Sequence, residues 1–318
     1  MQKITFLDKE AVADTVSLKS PSFEHYWDEY SYTEPEKLVE RMQGSTVAIT
    51  CGAPLRATEL AQLPDLKLIS VAMTGTDHVD LEYCKANGIA VCNVPAYSPQ
   101  TVAEHALGLL LALRRQIGSY NDLLKTDQWY GDDWQTNVFL NYPIRDLQGS
   151  RLGIVGAGEI GRAMGQIVSG LGMEVVYYNP GLTNTDINLV SFDELLETSD
   201  AISLHCPLID STRDMFRKDE LIRMKPGAVI INAARGGLIN EKDIVEVVKS
   251  GLIAGIALDV TENEPLTADE PLLELLGHPS FLMTPHVAWS SQQAMQGLMD
   301  RAIDNINNFF DKTPTNLV

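Results

Sequence analysis

The chain has 318 residues, 45% hydrophobic and 21% charged, with a formal net charge of −19. Such a length exceeds one ordinary core and fits two domains, and the composition excludes a disordered or fibrous chain. The negative charge disfavours nucleic acid and anionic membranes as partners, because both present phosphates of the same sign.

The N-terminus, MQKITFLDKE, carries charges too early for a secretory apolar region. Short β-branched or apolar runs then follow at 3–8, 46–50, 67–72 and 89–94, with helix-like stretches at 35–42 and 57–63 between some of them. This alternation predicts a parallel sheet with helices on both faces. Residues 101–115 (TVAEHALGLLLALRR) are apolar on nearly all sides, which predicts a helix buried in the core or against another subunit. Its densest part, Ala106 to Leu113, is about half of the roughly 20 residues that span a bilayer. The chain is therefore read as neither exported nor membrane-spanning.

Segment 118–146 carries Trp129, Tyr130, Trp134, Phe139 and Tyr142 among polar residues. A connection of this length and aromatic content is either an interface arm or a loop folded back on its own chain. A second series of strands is expected at 152–156, 174–178, 201–206, 228–233, 253–259 and 281–284. Ser191 with Glu194, and Ser290 with Gln293, match a helix capping box. The last helix, 291–310, is long enough to return to the first domain. Cys51, Cys84, Cys92 and Cys206 lack metal-site spacing and read as free thiols in a reducing cytoplasm, so no metal is expected.

Gly156-Ala157-Gly158-Glu159-Ile160-Gly161 follows the run RLGIV and opens a helix expected over 160–171. That context suits a dinucleotide fingerprint. The first glycine permits a tight turn, the second lets the backbone approach a pyrophosphate, and the third lets helix and strand pack closely. The helix N-terminus adds N–H donors for the anion, with Glu159 and Ile160 contributing their backbones. Some 20 positions on, where the fingerprint carries an acid for the adenine ribose, this chain has Asn179. Asn179 can bond a 2′-hydroxyl and does not repel a 2′-phosphate. No Lys or Arg lies in 179–185 to attract that phosphate, so NAD is favoured over NADP.

Reducing a keto acid requires a cation for the carboxylate and carbonyl, a proton donor near pH 7, and a group that tunes the donor. Arg235, in NAARGGLIN after the strand AVIINAA, has glycines that leave its guanidinium room. His286, in TPHVAW after FLMT, and Glu264, in ALDVTENEP, also stand just past strand ends. Ligands of open α/β sheets bind at that edge. Nothing local says that Glu264 and His286 touch. The other histidines (His25, His78, His105, His205, His278) include several that read as core or surface. Trp289 reads either as a pocket wall or as a core residue.

Over nearly its whole length the chain resembles the D-isomer-specific 2-hydroxyacid dehydrogenases. The resemblance rests on VAMTGTDHVDLEYCKANGIAVCNVP, VAEHALGLLLAL, GIVGAGEIGR, SLHCPL with Thr212, MKPGAVIINAARGGLIN, ALDVTENEP and TPHVAW. It implies that Arg235 binds the substrate carboxylate and keto oxygen, that His286 is the acid/base, and that Glu264 is its charge partner. It further implies cofactor contacts at Cys206, Pro207, Thr212, Ala233, Ala234 and Asp259, and a substrate loop at Met73, Thr74 and Gly75. Asn179 and Glu159 depart from the usual residues. CNVPAYS, FLNYPIRDL and HVAWSS look most like the glycerate dehydrogenase/hydroxypyruvate reductase branch.

The resulting expectation is an α/β protein of two doubly wound parallel-sheet domains around a cleft. A flavodoxin-like substrate domain would span 1–99 and 290–318, and a Rossmann nucleotide domain 100–289. The expected enzyme is a cytoplasmic, homodimeric, NAD-dependent oxidoreductase acting on a small D-2-hydroxy acid/2-keto acid pair, such as glycerate/hydroxypyruvate or glyoxylate. Alternatives are a reductase for pyruvate or a bulkier 2-keto acid, and an NAD(H)-sensing relative that does not turn over substrate.

Overall fold

A computed structural model describes residues 1–126, 140–183 and 186–318. The chain forms two units, Met1–Ser98 with Ser290–Val318, and Pro99–Trp289.

In the first unit, strands β1 (Gln2–Phe6), β2 (His25–Glu29), β3 (Val47–Thr50), β4 (Leu68–Val71) and β5 (Ala90–Cys92) form a parallel sheet in the order β2-β1-β3-β4-β5. Both VAIT of β3 and LISV of β4 are buried at every position, as strands covered on both faces must be. Strand β2 has no counterpart in the sequence reading. Its residues, HYWDE, sit at the sheet edge with none of them buried, so no apolar run marks them.

The region 35–42 opens as a 3-10 turn, Pro35–Lys37, before helix α1 (Leu38–Met42); α2 (Ala57–Leu60) and α3 (Leu81–Ala86) follow. The last helix, α10 (Gln292–Phe310), buries Leu298, Met299, Ala302, Ile303 and Ile306 and packs on β4. Its cap is one residue later than the capping-box pattern predicts: Ser291 Oγ accepts the Ala294 N–H. The pattern selects Ser290 because Gln293 follows it, but Ser291, with extended backbone directly before the first helical residue, makes the cap although Ala294 returns no side-chain bond.

The second unit holds β6 (Arg151–Val155), β7 (Glu174–Tyr178), β8 (Ala201–Leu204), β9 (Val229–Asn232), β10 (Gly255–Leu258) and β11 (Phe281–Met283). Their order is β11-β10-β9-β8-β6-β7, all parallel. Leu189 forms an isolated parallel bridge to Tyr177 beyond β7. Counting that bridge as a rudimentary strand gives the Rossmann order, whose direction reverses between β6 and β8.

One face of this sheet carries α7 (Phe192–Thr198), α8 (Lys218–Arg223) and α9 (Glu241–Ser250), with Leu195, Leu221, Ile244 and Phe216 in its core. On the other face lie α4 (Pro99–Arg115) and α6 (Glu159–Gly170), with Leu110, Leu113, Met164 and Val168 buried. The apolar helix 101–115 thus buries one face in the core of its own unit. A further helix, α5 (Ile117–Leu123), leads into the aromatic-rich segment. There the Tyr120 hydroxyl donates to the Tyr142 carbonyl at 2.8 Å. Trp129, Tyr130, Trp134 and Phe139 lie outside the described residues. Among the described residues no helix is long and apolar enough to cross a membrane.

Candidate active site

Because all six strands of the second unit are parallel, the segments that follow them meet at one edge of the sheet. That edge receives the glycine turn after β6, Asn179 after β7, Cys206 and Pro207 after β8, and Ala233 to Arg235 after β9. Asp259 after β10 and Thr284 to His286 after β11 complete the row.

The glycine turn fits a dinucleotide. Gly156 has φ +98, and a Cβ there would lie 2.6 Å from the His205 carbonyl oxygen. A Cβ on Gly161 would lie 2.1 Å from the Gly156 oxygen, so only glycine lets α6 start this close to β6. Nothing lies within 4 Å of the corresponding point on Gly158, which leaves its backbone open to a ligand. Gly158 caps α6 without a side-chain bond, and the first N–H groups of the helix point outward as anion donors. On α6, Arg162 donates from Nε to the Ala157 carbonyl at 3.0 Å and from Nη1 to Asp186, beyond β7, at 3.3 Å.

The loop after β8 is folded by Thr212, whose hydroxyl accepts the Ile209 N–H and donates to the Pro207 carbonyl at 2.7 Å. Burial pushes the Cys206 thiol up to about 11, so it stays protonated. Cys84 and Cys92 are raised to about 11 by the same cause.

Asn232 closes the loop after β9. Its Nδ2 donates to the Arg235 carbonyl at 2.8 Å, and its Oδ1 accepts the Ala234 N–H. Arg235 is left exposed, with Nη1 on the Ala234 carbonyl at 2.7 Å. The next residue packs hard on the neighbouring loop, since a Cβ on Gly236 would lie 2.0 Å from the Thr261 oxygen. Thr261 in turn donates its N–H to Glu264 Oε1 at 2.9 Å. The other oxygen of Glu264 lies 2.5 Å from His286 Nδ1. The fold therefore joins Glu264 to His286 and seats the Arg235 loop against the loop that carries Glu264.

Burial alone would raise the Glu264 carboxyl, but bonds from His286 and the Thr261 N–H hold it below the ordinary carboxylate range. A carboxylate at Nδ1 requires a proton there, which leaves Nε2 as the nitrogen facing a reactant. His286 itself is left-handed, with φ +53. Its N–H donates to the Asp259 carbonyl at 2.7 Å.

Asp259 is 1% exposed. Its Oδ1 accepts from Thr284 Oγ1 at 2.5 Å and from the Val287 N–H at 3.0 Å, and its Oδ2 accepts the Ala288 N–H at 2.9 Å. His105 Nε2 on α4 lies 3.0 Å from Thr284 Oγ1 and 3.4 Å from Asp259 Oδ1. Burial would raise Asp259, but the bonds from His105, Thr284 and the two N–H groups keep it below its ordinary range. His105 and Thr284 were not singled out in the sequence reading. A polar ring inside an otherwise apolar helix was the available signal for His105. Trp289 packs against the core that contains Ala288.

In the first unit the Met73 carbonyl accepts the Val94 N–H, and the Thr74 carbonyl accepts from Asn93 Nδ2 at 2.7 Å. Among the described residues, the N–H groups of Thr74 and Gly75 meet no protein acceptor. Arg56 Nη1 donates to the Asp77 carbonyl at 2.8 Å in the same loop.

Residues 107–288 match the family described as D-isomer specific 2-hydroxyacid dehydrogenase, NAD binding domain. The chain is 41% identical to a glycerate dehydrogenase of Methylorubrum extorquens, covering 100% of this chain and 99% of that one. It is 36% identical to a hydroxypyruvate reductase of Blautia hydrogenotrophica, covering 92% and 90%. Among solved structures, D-2-hydroxyisocaproate dehydrogenase superposes with a TM-score of 0.86 at 26% identity, covering 100% of this chain and 99% of that one.

Proposed function

The chain belongs to the D-isomer specific 2-hydroxyacid dehydrogenase family and is an NAD-linked oxidoreductase of small 2-hydroxy acids, and we propose that its reaction is the interconversion of hydroxypyruvate and D-glycerate, centred on Arg235, His286 and Glu264. The observation that carries this chemistry is the 2.5 Å contact between Glu264 and His286 Nδ1. NADH, when bound, supplies the hydride that adds to the keto carbon. The chain's own residues do the rest. Arg235 takes the substrate carboxylate and polarises the keto oxygen through its planar fork. His286 Nε2 gives that oxygen a proton in reduction and takes one from the hydroxyl in oxidation. Glu264 fixes the tautomer and balances the imidazolium charge. We assign the N–H groups at Thr74 and Gly75 to substrate binding.

We assign the second unit to the nucleotide and the first to the substrate. In the second unit, Gly156, Gly158, Glu159, Ile160 and Gly161 would hold the pyrophosphate, and Asn179 the adenine ribose. Cys206, Pro207, Thr212, Ala233, Ala234 and Asp259 would flank the rest of the cofactor. Full-length likeness to a glycerate dehydrogenase supports the substrate choice. So does the loop Cys51 to Leu55, which itself supplies no cation for a phosphorylated acid, while Arg56 beside it is bonded to the Asp77 carbonyl. Free thiols at all four cysteines support a reducing, cytoplasmic setting. Exposed Ile117, Leu124, Leu140 and Ile144, grouped around the aromatic-rich segment, support a homodimer.

The test is turnover of hydroxypyruvate, glyoxylate, pyruvate and 2-ketoisocaproate with NADH at one salt concentration. The proposal expects hydroxypyruvate to give the highest kcat/KM. A higher value for pyruvate or 2-ketoisocaproate would overturn the substrate assignment.

A further inference from the structure

We propose that His105 is a positioning residue, which holds the turn carrying His286 through Thr284 and Asp259. This inference rests on the proposed role of His286. It begins with a strained backbone. A non-glycine residue at φ +53 sits in the left-handed region, which an L-residue adopts only when its surroundings fix it. Here Asp259 does the fixing, because its carbonyl oxygen and both carboxylate oxygens bind the turn at Thr284, His286, Val287 and Ala288.

The proton count fixes the direction of the remaining contact. A carboxylate only accepts, so the single proton of the Thr284 hydroxyl is committed to Asp259 Oδ1 at 2.5 Å. Toward His105 the hydroxyl can then only accept. His105 Nε2, 3.0 Å away, must carry a hydrogen and donate it. Nε2 also stands 3.4 Å from Asp259 Oδ1. His105 thus holds the hydroxyl that binds a buried carboxylate, whose other donors are two backbone N–H groups. It does so from α4, a helix whose apolar side is locked into the core of the same unit. The imidazole ties the turn to a rigid element, and side chains held in this way keep a reacting group in productive geometry. His105 itself need touch neither substrate nor cofactor.

The experiment compares His105→Gln, which presents an N–H where Nε2 stood, with His105→Leu, which fills the space without a donor. Both are measured for hydroxypyruvate reduction and for NADH binding by fluorescence. Loss of the donor should lower kcat and kcat/KM together by about 10- to 100-fold, as a small displacement of a catalytic group does. Hydroxypyruvate KM and NADH affinity should stay within about twofold. His105→Gln should restore most of the rate. Equal rates in the Gln and Leu variants, whether high or low, would overturn the proposal. So would a loss confined to NADH affinity. If His105→Leu does not fold, His105→Asn replaces it, because the shorter amide cannot reach Thr284 and equal activity with His105→Gln would again overturn the idea. A parallel His286→Ala variant separates the two readings. If it keeps full activity, the role of His286 is wrong; if it is inactive while His105→Leu is unimpaired, only the present inference fails.

Discussion

Glu264 Oε2 lies 2.5 Å from His286 Nδ1, across 22 residues of sequence. The contact commits one ring nitrogen to the carboxylate and leaves the other for proton transfer. Glu264→Gln preserves the shape and removes the charge that balances the imidazolium, so kcat for hydroxypyruvate reduction should fall by about 10-fold or more while NADH still binds. Because Glu264 is held below the ordinary carboxylate range, the wild-type pairing should persist on the acid side until pH falls through that lowered value. Wild-type kcat in the variant would contradict the pairing. His286→Ala should lower kcat by about 10²- to 10⁴-fold while NADH still binds.

Arg235 stands exposed at the sheet edge, with one guanidinium nitrogen on the Ala234 carbonyl. Lysine keeps the charge but cannot hold a carboxylate with two parallel bonds. Losing one charge-assisted bond costs about 1.5–3 kcal/mol, so Arg235→Lys should reduce kcat/KM by about 10- to 100-fold. Wild-type kinetics in this variant would make Arg235 an ordinary surface residue.

Asn179 follows β7 where an acid would bind ribose hydroxyls and repel a 2′-phosphate. Arg162, a candidate cation on α6, already bonds the Ala157 carbonyl and Asp186. Wild type should therefore prefer NADH, and Asn179→Asp should widen the NADH-over-NADPH ratio in kcat/KM mainly by weakening NADPH. Both cofactors need comparison at one salt concentration, because phosphate effects are screened. A wild-type preference for NADPH would mean that Arg162 or another cation leaves its present partner for the phosphate.

His205 offers a test of stability. Some of the residue reaches the surface, but its Nδ1 is sealed from solvent without a partner, while Nε2 meets Ser203 Oγ at 2.9 Å. Burial lowers its pKa from 6.5 to about 4. The folded ring then stays neutral in a range where the unfolded ring binds a proton. Stability is full above about 6.5 and falls as pH drops toward 4, by up to about 1.4 kcal/mol per unit. Urea titrations across that range should show a shallower pH slope in His205→Gln. Identical slopes would mean that the ring gains a proton in the folded state.

The proposed homodimer predicts light scattering at micromolar concentration corresponding to twice the 35.0 kDa of one chain. A value near one chain would show that the exposed apolar residues around α5 have no copy to cover them.

The sequence by itself determined the two series of parallel strands, because β3, β4, β8, β9 and β10 are short apolar runs bounded by turn residues. It determined the glycine turn as well, since a left-handed Gly156 and a clash-free Gly161 are demands of backbone sterics that leave a local mark. Arg235, Glu264 and His286 were legible as polar residues just past strand ends. Edge strand β2 was not, because half-exposed polar positions have no periodic apolar signal. Nor was the cap of α10, where the Ser290–Gln293 match points one residue too early. What only the tertiary structure decided is which strand-end residues meet. Glu264 reaches His286, and His105 reaches Thr284 across 179 residues, because parallel pairing of β9, β10 and β11 stacks their ends along one edge and lays α4 against them. Such contacts depend on register between distant segments, and register is set by the packing of the whole sheet, not by the residues beside each side chain.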